Sequence, residues 1–203
     1  MASEHYFSSA SDSELTLRQI TVHLAGRAHT VTTANAVFSP EHVDTGTRVL
    51  LDNAPPPPVN GNFLDIGCGW GPISLHLALT SPEATIWAVD VNQRALDLVR
   101  RNAAALGLTN IRAVLPEEVP DDVSFATIWS NPPIRVGKVV LHSLMTTWLP
   151  RLSPGSDAWL VVQRNLGSDS LQRWLGENLS EEFAVSRDST NKSFRLLKVA
   201  RDA

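Results

Sequence analysis

Apolar and polar positions follow two periods along the chain, and the two periods alternate. Residues 17–23 and 29–33 are short β-type runs on either side of Ala25-Gly26-Arg27, which predicts a hairpin. A short helix is expected over 43–51. The prolines at 55–58 fit neither a helix nor a central strand and run extended. They divide the chain into an N-terminal extension, 1–58 (a loose Ser-rich tail, the hairpin and the short helix), and a main domain, 59–203.

Beyond the prolines, strands are predicted at 63–66, 85–89, 111–115, 125–130, 158–163, 183–187 and 194–200. Helical patterns fall between them. The first covers 73–79, with Pro72 suited to the opening position, where a missing N–H costs nothing. The second follows a cap at Asn92: Leu96, Val99, Ala103 and Leu106 share a face, and Gly107 ends it. Arg94, Arg100, Arg101 and Arg112 are expected on a solvated face. A third helix spans 136–149 and is closed by Pro150 or by Pro154-Gly155; a fourth, around Leu171, Trp174, Leu175 and Leu179, is capped by Asp169. Alternating strand and helix implies right-handed crossovers, hence an α/β fold: a parallel sheet with helices on both faces.

Composition narrows the setting. A length of 203 residues fits one domain with a small extension, and 43% hydrophobic side chains supply its core. The net charge of −4, from 17 basic and 21 acidic groups, means that any nucleic-acid contact needs a local basic patch. Cys68 is the single cysteine, which excludes an internal disulfide and fits a reducing compartment. The N-terminus carries no apolar signal core and no stretch approaches a membrane span, so a cytoplasmic protein is expected. The six histidines, at 5, 23, 29, 42, 76 and 142, show no metal-ligand spacing, and no metal is expected.

Two stretches carry chemistry. Leu64-Asp65-Ile66-Gly67-Cys68-Gly69-Trp70-Gly71 leaves a strand and enters a helix, and its glycines let the backbone turn tightly against a ligand. Asp90 ends the next strand, 19 residues after Gly71, where a carboxylate can accept hydrogen bonds from both ribose hydroxyls. A dinucleotide fold is the rival reading, but its G-x-G-x-x-G spacing is absent: Pro72 occupies the sixth position. Asp65 would repel a pyrophosphate and can hold an ammonium, directly or through water. Spacing and charge both favour S-adenosylmethionine. Cys68 reads as a small loop-filling residue, and Trp70 as core or as a wall of the cofactor site.

Asn131-Pro132-Pro133-Ile134 ends the fourth predicted strand of the main domain, on the same sheet edge. An amine on an aromatic ring or an amide is a poor nucleophile, because its lone pair is delocalised. The Asn131 side-chain carbonyl and the Pro132 backbone carbonyl can accept its two N–H groups and aim that lone pair. The prolines stiffen the loop, so the arrangement need not be organised during reaction.

Together these residues resemble the class I methyltransferases that modify planar amines, and within them the RsmC-like group, the small-subunit ribosomal RNA guanine-N2 methyltransferases. Phe38-Ser39 with Asp44-x-Gly46-Thr47, Asn131-Pro132-Pro133-Ile134-Arg135-x-Gly137-Lys138 and Ser193-Phe194-Arg195-Leu196-Leu197-Lys198-Val199 are similar to the group's motifs. The resemblance implies a Rossmann-like, seven-stranded, mostly parallel sheet with its last strand antiparallel. It implies methyl transfer from S-adenosylmethionine to a guanine 2-amino group in ribosomal RNA. The implied catalytic set is Asn131, Pro132, Pro133 and Ile134. The cofactor set is Asp65, Gly67, Cys68, Gly69, Gly71, Asp90, Val91, Glu117 and Asn131. Phe38, Arg135 and Lys138 form the substrate set, with a core position the alternative for Phe38 and a solvated helix start the alternative for the two cations.

Three positions depart from the group. Ile134 stands where many members have Phe or Tyr; Leu115-Pro116-Glu117 replaces a polar-Asp pair, leaving Glu117 as the candidate adenine contact; and Ala126 stands where an Asp is expected. The same loop chemistry also serves a protein glutamine amide or a DNA adenine amine. A non-catalytic S-adenosylmethionine-binding partner module is a reading of another class. Oligomeric state is not legible.

Overall fold

The computed structural model describes residues 14–190 and 193–203; the expected N-terminal tail, 1–13, lies outside them. Strands β1 (Leu17–Leu24) and β2 (Arg27–Ala34) pair antiparallel as predicted. Ala25 and Gly26 both take positive φ between them, the two-residue turn whose twist suits a hairpin. Helix α1 (Thr45–Asn53) follows, then β3 (Asn60–Ile66), α2 (Pro72–Thr80), β4 (Glu83–Val89), α3 (Gln93–Ala105), β5 (Ile111–Val114) and β6 (Phe125–Ser130). The rest is α4 (Lys138–Trp148), β7 (Leu152–Gln163), α5 (Ser168–Asn178), β8 (Phe183–Thr190) and β9 (Phe194–Arg201).

The seven strands β3 to β9 form one sheet in the order β5-β4-β3-β6-β7-β9-β8. Only β9 runs against its neighbours. From β3 the chain winds outward through β4 and β5, then returns to place β6 on the other side of β3. At such a reversal the loops leaving the two central strands diverge, and a crevice opens off their carboxyl ends. Side chains of β3 alternate between the two faces. Leu64 and Ile66 enter the core under α4 and α5, with Trp148, Leu171 and Leu175. Phe63 enters the core under α1 and α2, with Leu50, Leu77 and Trp129.

The hairpin packs on α2 and α3 through Val22, Leu24, Val31, Leu75 and Leu98. Buried Asn102 ties it down: its Nδ2 donates to the Thr32 carbonyl (2.9 Å) and the Trp70 carbonyl (3.1 Å), and its Oδ1 accepts from the Thr32 amide (2.7 Å).

Three expectations change. β7 begins at Leu152, six residues earlier than predicted. Pro154 and Gly155 do not end a helix; they lie in a bulge where the register between Phe125 and Thr127 shifts, and Gly155 takes φ +72. Asp169 does not cap α5. Gly167 occupies that position with φ +102, and Asp169 lies in the first turn, paired with Arg187 (2.9 Å) and with buried Arg195. Arg100, Arg101 and Arg112 are exposed as expected, but Arg94 is half-buried. Arg94 donates to the Asn35 carbonyl (3.2 Å) and Arg100 to the Ala113 carbonyl (2.6 Å), and Arg112 lies over the Trp87 ring at 5.0 Å.

Candidate functional site

The carboxyl end of β3 runs into a turn in which Gly67, Gly69 and Gly71 have φ of +72, +54 and +96. Side-chain-bearing residues disfavour that region, so this trace needs glycine. Gly71 also abuts α3, because a Cβ there would lie 3.0 Å from Val99 Cγ2. Gly71→Ala is expected to cost about 1–2 kcal/mol, read as a lower melting temperature.

Gly71 caps α2 without a side chain, and Asp65 supplies what is missing. Its Oδ2 accepts from Ser74 N (3.0 Å) and Ser74 Oγ (2.5 Å), satisfying an amide the helix leaves free in its first turn. Its Oδ1 is buried and has no partner among the described residues. Burial pushes the Asp65 carboxyl up to about 7 against these donors, and the neighbouring Asp90 charge adds to the rise. Asp90 binds the turn to the end of β4, accepting from Gly69 N and Asn92 N at 2.9 Å each, and burial raises its pKa too. An orphaned oxygen and two reluctant carboxylates beside a glycine cradle suit a cation-bearing ligand, as S-adenosylmethionine is, and oppose a pyrophosphate. Cys68 is buried, and burial raises its thiol pKa well above the ordinary range, so it is no nucleophile.

The Asn131-Pro132-Pro133 turn leaves the adjacent strand, β6. Ser130 Oγ donates to the Ile66 carbonyl (2.8 Å), joining the strand ends, and a Cβ on Gly67 would stand 3.8 Å from Pro133 Cδ. The glycine turn and the Asn-Pro-Pro turn therefore touch on one rim of the sheet. Asn131 Nδ2 donates to Asp44 Oδ2 (2.9 Å) and Thr47 Oγ1 (3.0 Å). The Pro132 carbonyl already accepts from Ile134 N (2.8 Å), which leaves it one lone pair.

A cleft between the two turns is lined by Phe38, Ser39, Asp44, Thr47, Gly67, Cys68, Gly69, Trp70, Pro72, Ile73 and Asn131. Phe38 is 52% exposed at its edge, so the alternative of a core position falls away. Trp70 is core, 1% exposed, with Nε1 donating to the Ser39 carbonyl (3.0 Å). Ile134 is half-buried and packs on the sheet's main core. Val91 is exposed beside Asp90, and Lys138 is exposed at the start of α4. Glu117 is exposed in a short turn that Glu118 closes by accepting from Leu115 N (2.7 Å), and like Asp65, Gly71, Asp90, Val91, Ile134 and Lys138 it is not among the residues lining the cleft. The Arg135 side chain lies outside the described residues. A larger concavity between α5 and β8, lined by Asp169, Gln172, Arg173 and Arg187, is open and polar and lies apart from the Gly67–Gly71 and Asn131 turns.

Sequence reasoning missed Ser74, although a hydroxyl three positions into a helix whose cap is glycine was a usable signal. It also missed Arg164, exposed just beyond β7 with its amide donating to the Ser193 carbonyl (2.8 Å), because only the sheet order brings it to this rim. No helix among the described residues is long and apolar enough to cross a membrane, and none of their His, Cys, Asp and Glu groups forms a metal-binding cluster.

Residues 28–198 match the sequence model of the family described as Methyltransferase small domain. The Bacillus subtilis (strain 168) protein named "Uncharacterized protein YbxB" is 35% identical over 202 residues, covering 98% of this chain and 99% of the relative. A "Ribosomal RNA small subunit methyltransferase C" from Aeromonas hydrophila is 36% identical over 124 residues, covering 60% of this chain and 35% of its own length. Among solved structures, the T. thermophilus 16S rRNA N2 G1207 methyltransferase, in complex with AdoMet and guanosine, superposes with a TM-score of 0.79. It is 23% identical, over 96% of this chain and 52% of that one. The chain thus spans about a third of the Aeromonas protein and half of the T. thermophilus one.

Proposed function

The chain belongs to the methyltransferase small domain family, and on that premise we propose that it methylates the exocyclic 2-amino group of a guanine in ribosomal RNA, with S-adenosylmethionine as donor. One observation carries the reading: the glycine turn and the Asn131 turn meet across a single cleft, with Gly67 against Pro133. The names of the Aeromonas and T. thermophilus relatives support the substrate class.

The donor supplies a methyl group on a sulfonium, so transfer to nitrogen leaves a neutral thioether and one proton for solvent. The protein's part is to bind, orient and exclude water. Asp65 would hold the donor's ammonium, directly or through water, and Asp90 its ribose hydroxyls; the backbone of Gly67, Cys68 and Gly69 would lie against it, with Val91 and Glu117 as outer contacts. Asn131 Oδ1 and the remaining lone pair of the Pro132 carbonyl accept the two N–H groups of the guanine amine. Pro133 fixes the turn, and alignment for in-line transfer carries much of the rate. Ile134 gives the base apolar contact, and exposed Phe38 offers a ring for it. Lys138 and Arg164, exposed on the same rim, supply the local basic patch for RNA phosphates that an acidic chain needs. Action on ribosomal RNA would place the protein in the cytoplasm.

The reading is checked by offering labelled S-adenosylmethionine with protein-free ribosomal RNA, assembled small subunits, DNA or a protein bearing an accessible glutamine. Label in guanine N2 of an RNA arm is the expected result. Label only in DNA or in the glutamine amide would move the substrate. Label in no arm would favour a non-catalytic binding module.

A further inference from the structure

Asp44-x-Gly46-Thr47 lies 87 and 84 residues from Asn131 along the chain, counted from Asp44 and Thr47, yet both side chains hold its amide. Asp44 precedes α1, and its Oδ2 accepts from Gly46 N (2.8 Å) and Thr47 N (3.3 Å). That much is an ordinary helix cap. The same oxygen, however, also accepts one proton of Asn131 Nδ2, and the buried Thr47 hydroxyl accepts the other. A primary amide has two N–H protons, and both are spent. Turning the amide over would set its carbonyl against a carboxylate, so the arrangement is locked. Nothing among the described residues donates to Asn131 Oδ1. Gly46 gives a second, independent sign of design: a Cβ there would lie 2.9 Å from Phe194 Cε1 and 3.0 Å from Asp44 Oδ2. Only glycine lets the Asp44 carboxylate stand where it meets Asn131.

We propose that Asp44 and Thr47 are positioning residues, which hold the Asn131 amide so that its carbonyl oxygen is reserved for the target amine. The inference rests on the reading of Asn131 given above. The carboxylate does more than orient: a charge-assisted hydrogen bond to the N–H side of an amide polarises it and makes its oxygen a stronger acceptor.

The test separates this role from capping. Serine is as good a helix cap as aspartate but too short to reach Asn131, so Asp44→Ser keeps α1 and loses the contact. At saturating S-adenosylmethionine, on the RNA arm that the wild type methylates, Asp44→Ser should lower kcat by about 10- to 100-fold. Affinity for S-adenosylhomocysteine should stay within about twofold and melting within a few degrees. Asp44→Asn, which retains an acceptor oxygen, should restore part of the rate. Thr47→Val should cost about fivefold, the worth of one neutral hydrogen bond. A readout independent of turnover is the side-chain NH2 resonance pair of Asn131 in the ligand-free protein, assigned from its loss in Asn131→Ala. In the wild type both protons should exchange slowly; in Asp44→Ser the proton that Asp44 accepts should exchange fast. An unchanged kcat, a fall in S-adenosylhomocysteine affinity in step with kcat, or superimposable NH2 resonances would each overturn the proposal. A wild type inactive on every RNA, with the exchange difference intact, would remove the substrate reading while the restraint on the amide stood.

Discussion

Asn131→Ala is expected to reduce methyl transfer on the order of 10²- to 10³-fold, the usual effect of deleting one preorganised hydrogen-bonding group from a reaction centre, while S-adenosylhomocysteine still binds nearly as tightly. The asymmetry follows from geometry. The residues that would grip the cofactor are on the glycine turn and at the end of β4, and their contacts do not pass through Asn131: Asp65 is held by Ser74, and Asp90 by Gly69 and Asn92. Asn131 is held instead from the opposite side, by Asp44 and Thr47. Removing its amide takes an acceptor from the amine and leaves the cradle standing. Isothermal titration with S-adenosylhomocysteine beside single-turnover transfer checks both halves; equal losses in the two would contradict the assigned role.

The second large effect is a pH dependence. The Asp65 carboxyl titrates at about 7, against 3.8 for an unperturbed Asp. Only its ionised form attracts an ammonium. Between pH 5.5 and 8 the ionised fraction rises about thirtyfold, and affinity for S-adenosylhomocysteine should rise by up to that factor. Asp65→Asn should bind weakly and without this slope. Stability of the free protein runs the other way. The unfolded chain releases the Asp65 proton near 3.8 and the folded chain keeps it to about 7, so the fold binds more protons between those values. Stability therefore falls as pH rises through that window and levels off above it, by on the order of 4 kcal/mol in the limit. Asp65→Asn should melt higher than the wild type at pH 8 and about level with it at pH 4, at roughly 2–4 °C for each kcal/mol. A variant that bound with the wild-type slope, or melted lower at pH 8, would remove Asp65 from the proposed ammonium site.

Much of this was legible in the sequence, for physical reasons that can be named. The strands of the main sheet are buried on both faces and read as continuous apolar runs, so β3, β4 and β6 were found within a few residues of their bounds. The start of β7 was not, because proline and glycine signal a stop by default and here make a bulge. Asp169 looked like a cap because it opens a helical pattern; the arginines that claim it come from β8 and β9. The two chemical turns were visible as local motifs. What joins them to α1 was not, since a contact spanning 87 residues has no local signature. Phe38 could be placed only once its exposure at the cleft was known.

Asn102 makes the N-terminal hairpin and the ligand turn a single mechanical part. One amide stands in for a missing neighbour strand at Thr32 and, with its remaining proton, clamps the carbonyl of Trp70 inside the turn. Peeling the hairpin off would strand those buried groups together, and the floor of the cleft would slacken with them. Hairpin and turn therefore share one set of contacts, and Asn102→Ala is expected to loosen both.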